Sequence, residues 1–103
     1  RHDLSVPIIT IGDLVVDTAR RRVTTGPQVV PLTRAEYSVL ECLALRRGRV
    51  ISKEQIVAWI QNADSVVDSK IAEVWVSTLR KKLREAGAVK TIETRRGFGY
   101  ILE

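Results

Sequence analysis

Three features of this 103-residue chain predict an α+β domain. Strand-forming runs broken by turn residues occupy residues 8–31. Two capping boxes, at Thr33 and at Ser52, each open a run with helical spacing. A longer amphipathic stretch, residues 68–87 (DSKIAEVWVSTLRKKLREAG), then precedes a strand-like tail. The length suffices for one compact core, and 45% hydrophobic with 28% charged residues is a globular composition rather than a disordered one. No run approaches the roughly 20 apolar residues of a membrane helix.

Taken in order, Ile8 to Ile11, Leu14 to Asp17, Arg22 to Thr24 and Gln28 to Val30 are the strand-like runs. Gly12-Asp13 and Gly26-Pro27 interrupt them, as in a small antiparallel meander. Thr33-Arg34-Ala35-Glu36 fits a capping box, in which the Thr33 and Glu36 side chains satisfy each other's free amides. Tyr37, Leu40, Leu43 and Ala44 follow at helical spacing, and Arg46, Arg47 and Gly48 are expected to end that helix. Val50-Ile51 reads as a short extended link. Ser52 to Gln55 is a second capping box, opening a short helix through Ile56, Val57, Trp59 and Ile60. Cys42 is expected in the core, and Trp59 mainly so, with a phosphate contact from its indole N–H as the alternative.

In the long stretch, Asp68 or Ser69 is expected as the cap, Gly87 as the stop, and about 27 Å of helix between them. Ile71, Ala72, Trp75, Val76, Leu79, Leu83 and Ala86 form one apolar stripe. Lys70, Glu73, Ser77, Lys81 and Arg84 face the other way, and Val74 sits among them. Taken alone, this helix reads as a surface helix with one stray apolar residue. A valine there also suits the floor of a DNA major groove, where thymine shows a methyl beside hydrogen-bonding atoms. The tail reads as a hairpin, residues 91–94 against 100–102, with Arg95 to Gly99 as its link.

Charge is unevenly spread. Of the formal +5, residues from Lys70 onward carry eight basic and four acidic side chains, and the rest of the chain is nearly neutral. That asymmetry favours a polyanionic partner, nucleic acid or an anionic membrane surface. Catalytic chemistry has little to stand on. His2 is the sole histidine and lies at the chain's end, and one cysteine with one histidine makes no zinc site. Gly97-Phe98-Gly99 lacks the strand–loop–helix setting of a phosphate loop. No enzymatic activity, metal or cofactor is expected, nor an exposed aromatic platform for stacking bases. A lone cysteine allows no internal disulfide, which suits a reducing cytoplasm.

A helix, a short helix, a long basic amphipathic helix and a hairpin tipped by two arginines make the pattern of a winged helix-turn-helix, whose last helix enters the major groove. A tip arginine can reach the neighbouring minor groove. Over essentially its whole length the chain resembles the DNA-binding domains of OmpR/PhoB-type bacterial response regulators. The resemblance rests on residues 31–37 (PLTRAEY), 48–56 (GRVISKEQI), 74–83 (VWVSTLRKKL) and 92–100 (IETRRGFGY).

That resemblance implies an N-terminal four-stranded antiparallel sheet, a first helix over 33–47, a positioning helix over 52–60, a recognition helix over 69–86 and a C-terminal β-hairpin wing. Lys70, Val74, Ser77 and Thr78 would face bases or nearby phosphates, with Val74 on a thymine methyl. Arg80 and Lys81 would meet phosphates, Thr94 would be a DNA-backbone anchor at the wing's base, and Arg96 would enter the minor groove. The loop 61–67 corresponds to a turn that in some members touches RNA polymerase, which singles out Gln61, Asn62, Ala63, Asp64 and Ser65. Trp75, small Ser77 and Thr78, and the charged Arg95 depart from the usual pattern. Trp75 is expected to pack, and Arg95 to add wing charge. Residues 1–7 resemble the remnant of a linker from a receiver domain that these 103 residues leave no room for, so the chain is not expected to accept phosphate itself. Relatives pair head-to-tail on direct repeats in double-stranded DNA, in the bacterial cytoplasm. The rival readings are the same fold used for protein contacts, and a small enzyme or RNA-binding protein.

Overall fold

The computed structural model describes residues 7–61 and 68–103. Strands β1 (Ile8–Ile11), β2 (Leu14–Asp17), β3 (Arg22–Thr25) and β4 (Gln28–Val30) form an antiparallel meander in that order. Helices α1 (Arg34–Leu45), α2 (Lys53–Ile60) and α3 (Ile71–Glu85) follow, and β5 (Glu93–Arg95) with β6 (Gly99–Ile101) closes the chain as a hairpin. The inward alternation of Ile11, Leu14, Val16, Val23 and Val30 turns one sheet face onto the helices. Of the residues assigned to a linker remnant, 1–6 lie outside the described residues.

Both capping boxes form. The Thr33 hydroxyl accepts the Glu36 amide while Glu36 Oε1 accepts the Thr33 amide at 2.9 Å, and Ser52 and Gln55 repeat the arrangement at the head of α2. Gly87 ends α3 as expected. At φ 87° it takes the left-handed conformation that closes a Schellman motif, its amide donating to Arg84 and the Ala88 amide to Leu83.

Several boundaries move for local reasons. The first helix stops at Leu45 rather than Arg47, because the Gly48 amide is drawn away to the Leu102 carbonyl at 2.8 Å. The third helix begins at Ile71 rather than Ser69. The Asp68 carboxylate accepts the Lys70 amide at 2.9 Å, so 68–70 form a turn and α3 is about 22 Å long. The extended link at Ile51 exchanges two backbone hydrogen bonds with Tyr100, a bridge that adds a third edge to the hairpin. Trp59 is not in the core. The two turns of α2 direct Ile56 and Val57 inward, leaving the indole at the edge under the Arg46 guanidinium, 4.5 Å from its centroid. Cys42 is buried as expected.

One ion pair crosses the core's rim. Lys82 Nζ on α3 lies 2.6 Å from Glu36 Oε1 at the head of α1, and Glu36 is only 5% exposed. Burial alone would raise the Glu36 carboxyl. The hydrogen bonds from Lys82 and the Thr33 amide outweigh it and hold the group down at about 2. A folded-state value below the unfolded one means that this stability is present above about pH 4.5 and is lost as pH falls toward 2. Glu36→Gln should lower stability at neutral pH by about 1–2 kcal/mol, between an exposed and a buried pair. In urea titrations the wild-type advantage over this variant should shrink steadily below pH 4.5; a constant gap down to pH 2 would mean that the Glu36 charge contributes nothing.

Candidate nucleic-acid interface

Helix α3 divides cleanly. Ala72, Val76, Leu79 and Leu83 are buried, and Ile71, Trp75 and Ala86 pack partly against them. Each of the larger buried side chains contributes about 1.5–3 kcal/mol, so this face is committed to the core. The other face carries Lys70, Glu73, Val74, Ser77, Thr78, Lys81 and Arg84, all exposed. Val74 is 55% exposed, and no side chain of the core covers it. Trp75 packs as expected. The Thr78 hydroxyl donates to the Trp75 carbonyl at 3.1 Å, one turn back.

The wing is held against this helix by Arg80. Its Nε donates to the Ile92 carbonyl at 2.8 Å, its Nη2 to Thr94 Oγ1 at 2.6 Å, and its guanidinium lies 5.5 Å from the Tyr100 ring centroid. Arg80 and Thr94, expected as a phosphate contact and a backbone anchor, are thus brought together as a tie between helix and hairpin. Gly99 fixes the other side. Its α-carbon is pressed against the Ile51 carbonyl and Ser52, so that any Cβ would overlap backbone, and its φ of 147° disfavours other residues.

The two tip arginines separate. Arg95 lies within β5, opposite Gly99, rather than in the link. Its guanidinium pairs with Glu93 at 2.6 Å and with Glu103 at 3.7 Å, so the extra charge is neutralised on the hairpin itself. Arg96 is exposed and enters no ion pair among the described residues. Gln61 ends α2, its amide donating to the Val57 carbonyl, and Asn62, Ala63, Asp64 and Ser65 lie outside the described residues.

Two features were not read from the sequence. Lys53 at the head of α2 reaches Glu73 at 2.9 Å and neutralises the carboxylate on the exposed face of α3. Their separation by twenty positions hides the pair. Phe98 is 76% exposed at the hairpin tip, a single ring. Its position between Gly97 and Gly99 was the available signal, since a turn of that kind has no core to offer a ring.

Comparison with known proteins agrees with this architecture. Residues 27–102 match the family described as "Transcriptional regulatory protein, C terminal". The chain belongs to that family. It is a winged-helix effector domain of the OmpR/PhoB type, from a family of transcription regulators and not of enzymes. Response regulator ArlR of Staphylococcus haemolyticus is 38% identical over 95 residues, covering 92% of this chain and 43% of that protein. The chain therefore spans less than half the length of this relative. Among solved structures, the Klebsiella pneumoniae RstA DNA-binding domain in complex with the RstA box is 28% identical with a TM-score of 0.80, covering 94% of this chain and 97% of that one. The AdeR DNA-binding domain in complex with an intercistronic region is 26% identical, also with a TM-score of 0.80, over 91% and 97% of the two chains.

The Arg80 tie is separable from a simple charge. Arg80→Ala should cost about 1–3 kcal/mol for two lost hydrogen bonds and speed hydrogen exchange in β5 and β6. Arg80→Lys keeps the charge but cannot span both acceptors, and should speed exchange almost as much. Wild-type exchange in both variants would reduce Arg80 to a surface cation.

Proposed function

We propose that this domain binds double-stranded DNA in a sequence-specific manner and controls transcription as the effector domain of a two-component response regulator. The observation that carries the reading is an exposed α3 face, with Lys70, Val74, Ser77 and Lys81, on a helix to which Arg80 ties a wing whose Arg96 is exposed and unpaired among the described residues. A helix of this kind in the major groove leaves the hairpin at the adjacent minor groove. The family membership and the two DNA-bound relatives support it.

The side chains divide by chemistry. Phosphate contacts supply most of the affinity and set register, and Lys70, Lys81 and Arg96 are the exposed cations for that work. Val74, Ser77 and Thr78 present a methyl pair and two hydroxyls to base edges, with Val74 against a thymine methyl. Arg80, Thr94 and Arg95 act mainly by holding the wing, which leaves Arg96 as its leading contact. We extend the reading to two copies arranged head-to-tail on direct repeats, to a receiver domain in the full-length protein, and to a polymerase contact at residues 61–65. The four resembling motifs support these extensions. A bacterial cytoplasmic setting follows from the same role, and no helix among the described residues is long and apolar enough to cross a membrane.

Binding of duplex DNA, single-stranded DNA and structured RNA of matched composition tests the class of partner, with a marked preference for the duplex expected. Arg96→Ala should weaken duplex binding and lower the slope of log K against log salt by up to about 1. An unchanged affinity and slope would remove the wing from the interface. Val74→Ala should cost on the order of 1 kcal/mol on a site with thymine opposite and much less when that base pair is exchanged. Equal losses on both sites would show that Val74 reads nothing.

A further inference from the structure

A cleft of about 300 Å³ opens between the end of α1, the link at Ile51 and α2. Its buried lining residues are Cys42 and Ile51, and its accessible ones are Arg46, Gln55, Ala58 and Trp59, the last 39% exposed. Burial pushes the Cys42 thiol up from its ordinary value, so the floor is neutral and apolar. Arg46 is the one charged residue of the lining. Its guanidinium lies over the Trp59 ring, 4.5 Å from the centroid, and its Nη1 reaches the Cys42 carbonyl only at 3.5 Å. Among the described residues no carboxylate pairs with it. Arg47 and Arg49 in the link that follows add positive charge with no acid between them. Gln55 gives its Oε1 to the Ser52 amide, which leaves its NH2 group as a donor at the rim.

We infer that this cleft docks an acidic, apolar segment of a partner protein, which sets a leucine or aromatic side chain against Cys42 and Ile51 and a carboxylate on Arg46. A guanidinium already stacked on an indole is held in one plane and loses little freedom when a carboxylate engages its fork. Covering the site removes water from the Arg46–Trp59 pair, and a cation left there without an anion is costly. The partner therefore supplies the negative charge, and the uncharged floor calls for hydrocarbon beside it. One large side chain suits the volume, which is at the low end for a small-molecule site. A phosphodiester strand brings the anion but no side chain for the floor. Tryptophan and arginine are also the residues that most often dominate binding energy at protein interfaces. No residue of α3, β5 or β6 lines the cleft, so it can be filled independently of the α3 face.

The test is a selection of random displayed peptides on this domain, followed by NMR titration of an enriched peptide into isotope-labelled protein. The Trp59 indole N–H reports the cleft, and that of Trp75 on α3 is the internal control. Enriched peptides should combine Asp or Glu with Leu, Phe or Trp, and should shift the Trp59 signal alone. Thermal melts first establish that the variants are folded. Arg46→Gln should weaken the peptide roughly tenfold or more, because a charge-assisted contact is lost. Arg46→Lys should weaken it nearly as much, for want of the planar fork. Ala58→Glu, at an exposed helical position that accepts the change, puts the chain's own carboxylate into the cleft and should abolish binding. Duplex affinity and its salt slope should keep wild-type values in all three variants. Enrichment of no peptide, or of basic ones, would overturn the inference. So would a selected peptide that binds Arg46→Gln and Ala58→Glu as it binds the wild type, or one that shifts only Trp75. Weaker duplex binding with a lower salt slope in Arg46→Gln would give the cleft to a DNA phosphate instead.

Discussion

The structure depends on one demand placed on α3: a single fifteen-residue helix must be fixed to the core by one side and left clear on the other. Ala72, Val76, Leu79 and Leu83 meet the first half by burying fully against α1 and α2. Lys82 adds a charged clamp to Glu36 at the head of α1, and the Schellman turn at Gly87 ends the helix cleanly. With orientation secured from behind, the residues in front are released from structural work. That is why an exposed valine and two small hydroxyl residues can stand there without weakening the fold.

The wing has little core of its own and takes its position from its neighbours. Ile92, Tyr100, Ile101 and Leu102 are buried at its base, Arg80 ties it to α3, and the Ile51–Tyr100 bridge with Gly48–Leu102 ties it to the segment before α2. The separation between helix and hairpin is thereby set by backbone contacts and one bidentate arginine. Two arginines that look equivalent in the sequence have different work as a result. Arg95 stiffens the hairpin through Glu93 and Glu103, and Arg96 remains available.

Local signals were legible and non-local ones were not. The four strands and both capping boxes were read nearly to the residue, because turn glycines and Ser/Thr-x-x-Glu/Gln patterns act within a few positions. Periodicity separated the two faces of α3 correctly. Its first turn is a tighter i+3 turn rather than regular α-helix, with the Asp68 carboxylate accepting the Lys70 amide as a cap does. Arg80 lies near the edge of the apolar stripe, and nothing nearby shows that a hairpin twelve positions on will pass its guanidinium. Arg95 is an exception to the local rule: its 2.6 Å partner Glu93 is only two positions back, on the same face of β5, with Glu103 farther off at 3.7 Å. Residue type alone sends Trp59 inward, whereas a two-turn helix has only a narrow buried face. In the candidate site, residue identities were visible from the sequence; which side chains are already engaged within the protein was not.

The most direct measurement is an in vitro selection from random duplex DNA with this domain alone, at about 150 mM salt. Enrichment of a short element, repeated about one helical turn apart, is the result this account predicts. Binding without enrichment would contradict it by reducing the α3 face to a nonspecific basic surface, and absence of binding would assign that face to a protein partner instead.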